Sequence, residues 1–245
     1  MSKIFVVGIG SGRLDEMTPK ARKAIESAQV VAGYNTYIEL IAPLLGGKKI
    51  IGRAMMQEVE RSRLAIEEAK AGHDVAVISS GDAGVYGMAG LVVEMILDLP
   101  EDERPQFEII AGVSAVNAAA AILGAPLMHD FAIISLSDLM TSWELIKKRV
   151  RSAAEGDFVI ALYNPKSKRR VTQLAEVQKI LLEFREKNTP VGIVTNAGRE
   201  GESKTISTLE NFIQEEVNMF SLVIIGNSQT FVKAGYMLTP RGYKI

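Results

Sequence analysis

The chain has 245 residues, room for one large domain or two small ones. Its 28 Lys and Arg against 29 Asp and Glu leave a formal charge of −1, so no global basic field draws nucleic acid, and 47% hydrophobic with 23% charged residues is a folded rather than a disordered composition. No cysteine is present, which excludes disulfides, thiolate nucleophiles and cysteine-held metals; two histidines, His73 and His129, are too few for a histidine cage.

Taken in chain order, short apolar runs alternate with longer amphipathic ones. Lys3–Val7 reads as a buried strand. Thr18 and Pro19 open a helix as N-cap and first residue, and it runs to about Ala28. Gln29–Ala32 is a strand, Tyr37–Leu45 a helix stopped by Gly46 and Gly47, and Lys49–Ile51 a short strand. A long helix covers Met55–Ala71, with Gly72 as its stop. Strand Asp74–Ser79, apolar helix Val85–Leu97, strand Phe107–Ile110 and the alanine-rich helix Ser114–Leu123 follow. Gly124, Ala125 and Pro126 break the pattern, and the domain joint is expected there: residues 1–124 form one α/β domain and 125–245 a second. The second series reads as strand Ala132–Leu136, helix Ser142–Ala154, strand Phe158–Leu162, helix Val171–Lys187 and strand Val191–Val194. It continues with strand Lys204–Ser207, helix Leu209–Glu215 and a last strand Leu222–Ile225. Such alternation predicts α/β sheets with parallel pairs, two α/β domains and a cleft between them. The apolar run after Met1 is too short and glycine-broken for a signal peptide. No run approaches the ~18 apolar residues of a membrane span. The expectation is a soluble cytoplasmic protein.

In open α/β sheets, ligands bind beyond the carboxyl ends of the strands, so the residues just after each strand carry the functional reading. The first such loop is Gly8-Ile9-Gly10-Ser11-Gly12. A dinucleotide fingerprint needs G-x-G-x-x-G with the helix starting inside it. Here the spacing is G-x-G-x-G, the helix begins near Thr18, and the second strand lacks a terminal acid to hold a ribose. A nicotinamide-dependent oxidoreductase is therefore disfavoured, and no P-loop pattern is present. The second loop runs from Ser79 to Gly87 and includes Gly81, Asp82, Gly84, Val85 and Tyr86. Asp82 caps a helix at Val85, or it belongs to a backbone cradle for a polar ligand. The third is Gly112-Val113-Ser114-Ala115, where Ser114 caps the alanine helix or leaves room for a ligand. After the strand ending at Leu162 come Tyr163, Asn164 and Pro165. The cations Lys166, Lys168, Arg169 and Arg170 follow, set against a helix dipole, either as a solvated charge run or as an anion site. Thr195-Asn196-Ala197-Gly198-Arg199 and Gly226-Asn227-Ser228 follow two further strands. His129 is an acid–base candidate or a structural histidine.

Together these loops resemble the tetrapyrrole methylase family. The resemblance rests on Val7-Gly8-Ile9-Gly10-Ser11-Gly12 with Thr18, on Gly81-Asp82-Ala83, and on the small-residue turn Gly112–Ala115, in order along the whole chain. Ser11 and Ala83 stand where the family usually has proline. Three segments are similar to the branch that methylates carbon 17 of a precorrin-3-type macrocycle with ring contraction: Gly33-Tyr34-x-x-Tyr37, Asp82-x-Gly84-Val85-Tyr86-x-Met88-Ala89, and Tyr163-Asn164-Pro165-x-Ser167-x-x-Arg170. The resemblance implies S-adenosylmethionine, folded, in an interdomain cleft. It implies contacts from Ser11, Gly81, Asp82, Val85, Ser114, Ala115, Tyr163, Asn196 or Ala197, and Gly226 or Asn227. It also implies a homodimer and a precorrin substrate with or without cobalt. Composition, charge and hydropathy lead to the expectation of no resident metal and no nucleic-acid or membrane partner. Tyr86 would pack on the macrocycle, and Lys166, Lys168, Arg169 and Arg170, with Arg53 and Arg199, would meet its carboxylates. Asp15, Glu16, Asp82 and His129 are the candidates for proton movement. Methylation of another corrin carbon, of a diphthine precursor or of ribosomal RNA remains open at this point.

Overall fold

The computed structural model describes residues 2–54 and 56–244. The chain divides into two compact units, one running to Ala115 and one from Val116 onward. The division thus falls at the start of the alanine-rich helix, whereas the composition break lies at its end. Each unit is described by itself.

The first unit contains β1 (Lys3–Gly8), α1 (Pro19–Ser27), β2 (Val30–Tyr34), α2 (Asn35–Leu40), β3 (Lys49–Arg53), α3 (Glu58–Lys70), β4 (Val75–Ser79), α4 (Ala89–Leu97) and β5 (Gln106–Ile110). The strands form one five-stranded sheet in the order β3-β2-β4-β1-β5, with every pairing parallel. A parallel sheet is covered on both faces, so its strands are near-continuous apolar runs; β4, Val-Ala-Val-Ile-Ser, is buried throughout. Side-chain alternation sends Ile4, Val6, Val30, Val75 and Val77 to one face, under α3 and α4. It sends Val7, Val31, Ala76 and Ile78 to the other, under α1 and α2. Thr18 caps α1 by accepting from the Ala21 amide, as its sequence predicts. Two expectations change. The third helix begins at Glu58, and Met55, its expected first residue, lies outside the described residues. The helix expected from Val85 begins at Ala89, because Tyr86 takes a left-handed φ of 54° and Gly84 and Gly87 flank it.

The second unit contains most of α5 (Ala115–Leu123), then β6 (Gly124–Ala125), β7 (Phe131–Ser135), α6 (Trp143–Glu155), β8 (Val159–Tyr163), α7 (Gln173–Leu181), β9 (Pro190–Thr195), β10 (Ser203–Thr208), β11 (Ser221–Ile225), β12 (Phe231–Lys233) and β13 (Tyr236–Leu238). Its main sheet has the order β10-β9-β11-β8-β7. Here β7 and β8 are parallel, but β11 runs antiparallel to both β8 and β9, and β10 antiparallel to β9. One face packs on α6 and α7 around Ile160, Leu162, Ile193 and Phe212. On the other, Gly192 leaves room for Leu123, since a Cβ there would meet its Cδ1 at 2.5 Å. The chain expected to be helical to Lys187 leaves α7 at Leu181, where the Leu181 carbonyl takes the amides of both Phe184 and Arg185. The helix expected over 209–215 is a single 3-10 turn, Phe212–Gln214. β11 is not the last strand: β12 and β13 form a hairpin, and β13 pairs in parallel with β6.

Candidate functional site

In the first unit, β1, β4 and β5 are adjacent, so the loops leaving their carboxyl ends lie side by side. They are stitched together through backbone. The Gly10 amide donates to the Gly81 carbonyl at 3.0 Å and the Gly81 amide to the Gly10 carbonyl at 2.7 Å. A Cβ at Gly8 would sit 2.7 Å from the Gly81 carbonyl oxygen, and one at Gly112 only 2.3 Å from it. Gly10 and Gly81 adopt φ of 62° and 67°, conformations open to glycine at no steric cost. Asp82 completes the seam. Its Oδ1 accepts from the Gly84 amide at 2.8 Å and its Oδ2 from the Gly112 amide at 3.0 Å. The carboxylate therefore ties the β4 loop to the β5 loop. It does not cap a helix at Val85; both of its oxygens accept from backbone amides, and it anchors the two loops.

Around this seam the structure gathers Ser11, Gly81, Ala83, Ser114 and Ala115, all small, with Val85 half-buried and Tyr86 56% exposed beside them. Ser11 is buried; its hydroxyl donates to Glu16 and accepts from the Arg13 amide at 3.2 Å. Asp15 is an exposed ion pair with Arg13, 2.6 Å away, whose hydrogen bond holds its carboxyl below the ordinary value.

In the second unit, the carboxyl ends of β7, β8 and β9 share one edge of the sheet. Ser135 lies opposite Tyr163, and the Asn196 amide donates to the Phe220 carbonyl, just before β11 begins. Tyr163, Asn196 and Ala197 are thus brought to one edge. The Tyr163 hydroxyl accepts from the Val116 amide at 2.9 Å, satisfying a free N–H in the first turn of α5. Asn164 and Asn196 both take left-handed φ, 51° and 53°, which asparagine tolerates better than most residues.

Three candidates are placed elsewhere. Because β11 is antiparallel to its neighbours, Ile225 pairs with Val191, and the Gly226 amide donates to the Pro190 carbonyl. Gly226 and Asn227 therefore stand at the opposite edge from Tyr163 and Asn196. His129 precedes β7 and accepts from the adjacent Asp130 amide, so it too belongs to that opposite edge. Lys166, Lys168 and Arg169 are exposed, but Arg170 is buried and its Nε donates to the Leu136 carbonyl at 2.7 Å. It pins two loops together and is no open anion site. The residues that the reading passed over are Ser135 and Ser137. Ser135 Oγ accepts from Asn164 Nδ2 at 3.0 Å and from the Ser137 amide. Ser135 ends β7 and Ser137 lies just beyond it, so the carboxyl-end rule itself points to them. Among the described residues no group of three or more His, Asp or Glu could hold a metal ion, and no helix is long and apolar enough to cross a membrane.

Residues 3–213 match the model of the Tetrapyrrole (Corrin/Porphyrin) Methylases, and the chain belongs to that family. It is 49% identical over 99% of its length to a probable cobalt-factor III C(17)-methyltransferase of Salmonella typhimurium, all of which it spans. It is 48% identical to the cobalt-factor III methyltransferase of Priestia megaterium, but spans only 45% of that longer protein. Among solved structures, the methyltransferase CobJ superposes with a TM-score of 0.91 at 34% identity, covering 98% of this chain and all of the other. A uroporphyrin-III C-methyltransferase of Thermus thermophilus, complexed with S-adenosyl homocysteine, gives 0.73 at 25% identity, covering 92% and 97%.

Proposed function

We propose that the chain is an S-adenosylmethionine-dependent C-methyltransferase acting on carbon 17 of a precorrin-3-type tetrapyrrole, with ring contraction, in corrin biosynthesis. The observation that carries the reading is the glycine seam of β1, β4 and β5. Three loops lie backbone to backbone, and their rim holds no side chain larger than serine at positions 11, 81, 83, 114 and 115. Such a rim suits a flat base and a hydroxylated sugar, which need close approach and backbone polar groups, so the residues present fit the cofactor. When bound, the cofactor supplies an electrophilic methyl group on a sulfonium. The chain's own residues contribute placement. Asp82 fixes the two loops, and the small side chains of Ser11, Ala83, Ser114 and Ala115 let a ligand approach the backbone. Within the second unit, Tyr163, Asn196 and Ala197 are the candidate contacts. Alignment of two reactants within about 3–3.5 Å is itself a large part of a transfer barrier, and this matches an edge without an acid–base dyad. Lys166, Lys168 and Arg169 are exposed cations suited to the acetate and propionate groups of the macrocycle.

The deciding experiment is nuclear magnetic resonance of the product made from cofactor carrying a carbon-13 methyl. A new methyl at carbon 17 of a contracted ring is expected; one at carbon 11, or at carbon 20 of an uncontracted ring, overturns the assignment. Mass spectrometry of products from cobalt-bound and metal-free trimethylated precursors separates the two substrate forms. The reading extends to a homodimer, which the resemblance implies, in the cytoplasm. Sedimentation that returns only a 26.6 kDa species removes the dimer.

A further inference from the structure

Arg61 occupies a position on α3 that its neighbours mark as core. It shares a buried face with Ala65 and Ala69, one and two turns on, and is 3% exposed. Its Nη2 lies 3.4 Å from Met88 Sδ, a weak acceptor, and 3.9 Å from Glu58 Oε1, beyond a hydrogen bond. Its Nε and Nη1 are buried with no hydrogen-bond partner among the described residues. The other buried arginines have stronger acceptors: Arg170 Nε donates to the Leu136 carbonyl, and Arg185, whose Nε is also unmet, donates from both Nη atoms to the carbonyls of Gly226 and Phe158. Burial lowers the Arg61 pKa, against the influence of Glu58 and Tyr37, yet a guanidinium stays charged in proteins. A buried cation with two unmet N–H groups is costly unless an anion reaches it.

We propose that Arg61 is a recessed carboxylate-binding residue, whose Nε and Nη2 take a ligand carboxylate as a fork when the Met88 side chain, which now faces Nη2, swings aside. Met88 suits that part. It is unbranched, with three rotatable bonds, and its sulfur is a poor permanent partner. It ends the segment 84–88, which runs from the Asp82 seam to α4 and carries the left-handed Tyr86. Paired N–H donors recognise a carboxylate with two parallel bonds. Carboxylates come from two sources here, the macrocycle's side chains and the amino-acid end of the cofactor. Only the choice between them rests on the proposed function.

The test compares the wild type with Arg61→Met and Arg61→Lys. In thermal melts, acetate should raise the wild-type melting temperature above that in chloride of equal ionic strength, by linkage to the native state. Arg61→Met should lose this acetate-specific rise, and in chloride it should melt higher than the wild type, because an uncompensated buried charge is gone. Arg61→Lys keeps the charge without the fork and should retain little of the rise; it also serves if the Met variant does not fold. A weakening of about tenfold or more in S-adenosylhomocysteine affinity alone assigns the cofactor carboxylate. The same rise in the tetrapyrrole KM alone assigns the substrate. An acetate effect of equal size in all three proteins, or none with both ligand constants within about twofold of wild type, overturns the proposal. Failure of the wild type to bind S-adenosylhomocysteine overturns the proposed function and leaves the acetate comparison standing.

Discussion

A methyl group added at Gly112 has nowhere to go: the atoms it would meet, at 2.3 and 2.5 Å, are the carbonyl oxygens of Gly81 and Gly8. Backbone cannot rotate out of the way as a side chain can. Gly112→Ala should therefore destabilise the fold by about 2–4 kcal/mol and weaken S-adenosylhomocysteine binding, read by thermal denaturation and calorimetry. Gly46→Ala is the control. Nothing lies within 4 Å of its would-be Cβ, so it should be neutral or stabilising by up to about 1 kcal/mol. The basic run divides in the same way. Arg170→Ala removes a buried donor and strands the Leu136 carbonyl, a loss of about 1–3 kcal/mol visible as a lower melting temperature. Lys168→Ala with Arg169→Ala should leave melting unchanged and raise the tetrapyrrole KM about tenfold; an unchanged KM leaves these two as a solvated surface. The glycines and Asp82 are legible in the sequence because small residues cluster after apolar strands. That Asp82 reaches Gly112, thirty positions on, is not legible, because only the sheet order brings those loops together. Arg170 was unreadable for a related reason: four adjacent cations look alike until one of them is seen to point inward.

Elements with strong periodicity were legible almost to their ends, as α1 and its Thr18 cap show. Three kinds of feature were not. The start of α4 is displaced by a left-handed residue, Tyr86, that no propensity predicts. The direction of β11 is invisible, because an apolar five-residue run reads the same either way; this misplaced Gly226 and Asn227. The hairpin of β12 and β13 is short and its strands are largely exposed, so it lacks an apolar signature. A further element-level expectation concerns β5. Glu108 on that strand bridges Lys20 of α1, at 2.6 Å, and Lys3 of β1. Hydrogen bonds from Lys20 and then Lys3 pull its pKa down to about 2. In the unfolded chain a glutamate titrates near 4.3. The stabilisation is therefore fully present above about pH 4.3 and is lost as pH falls toward about 2. Glu108→Gln should flatten the acid limb of a melting-temperature profile across that window, and added salt should shrink the difference, most for the bridge to the exposed Lys20. An unchanged acid limb assigns acid sensitivity to other groups.

For the molecule as a whole, calorimetric titration should show S-adenosylhomocysteine binding and no NAD binding. The physical ground is that α1 begins at Pro19, well after Gly12, so the glycine loop does not deliver a phosphate onto a helix N-terminus. Tight NAD binding with no response to S-adenosylhomocysteine would sink the reading. The two α/β series were legible because strand and helix periods alternate throughout, whereas the mixed direction of the second sheet was not. The all-parallel order of the first sheet also governs how the chain is made. β1 is synthesised first, yet both of its neighbours, β4 and β5, come much later: Ile4 pairs with Val75 on one side and Phe107 on the other. At about 5–20 residues per second on the ribosome, β1 waits roughly 3–14 s for a first partner. During that interval an apolar strand stands with two open edges, a template for mispairing. Release of a nascent chain before Ile110 leaves one of those edges uncovered.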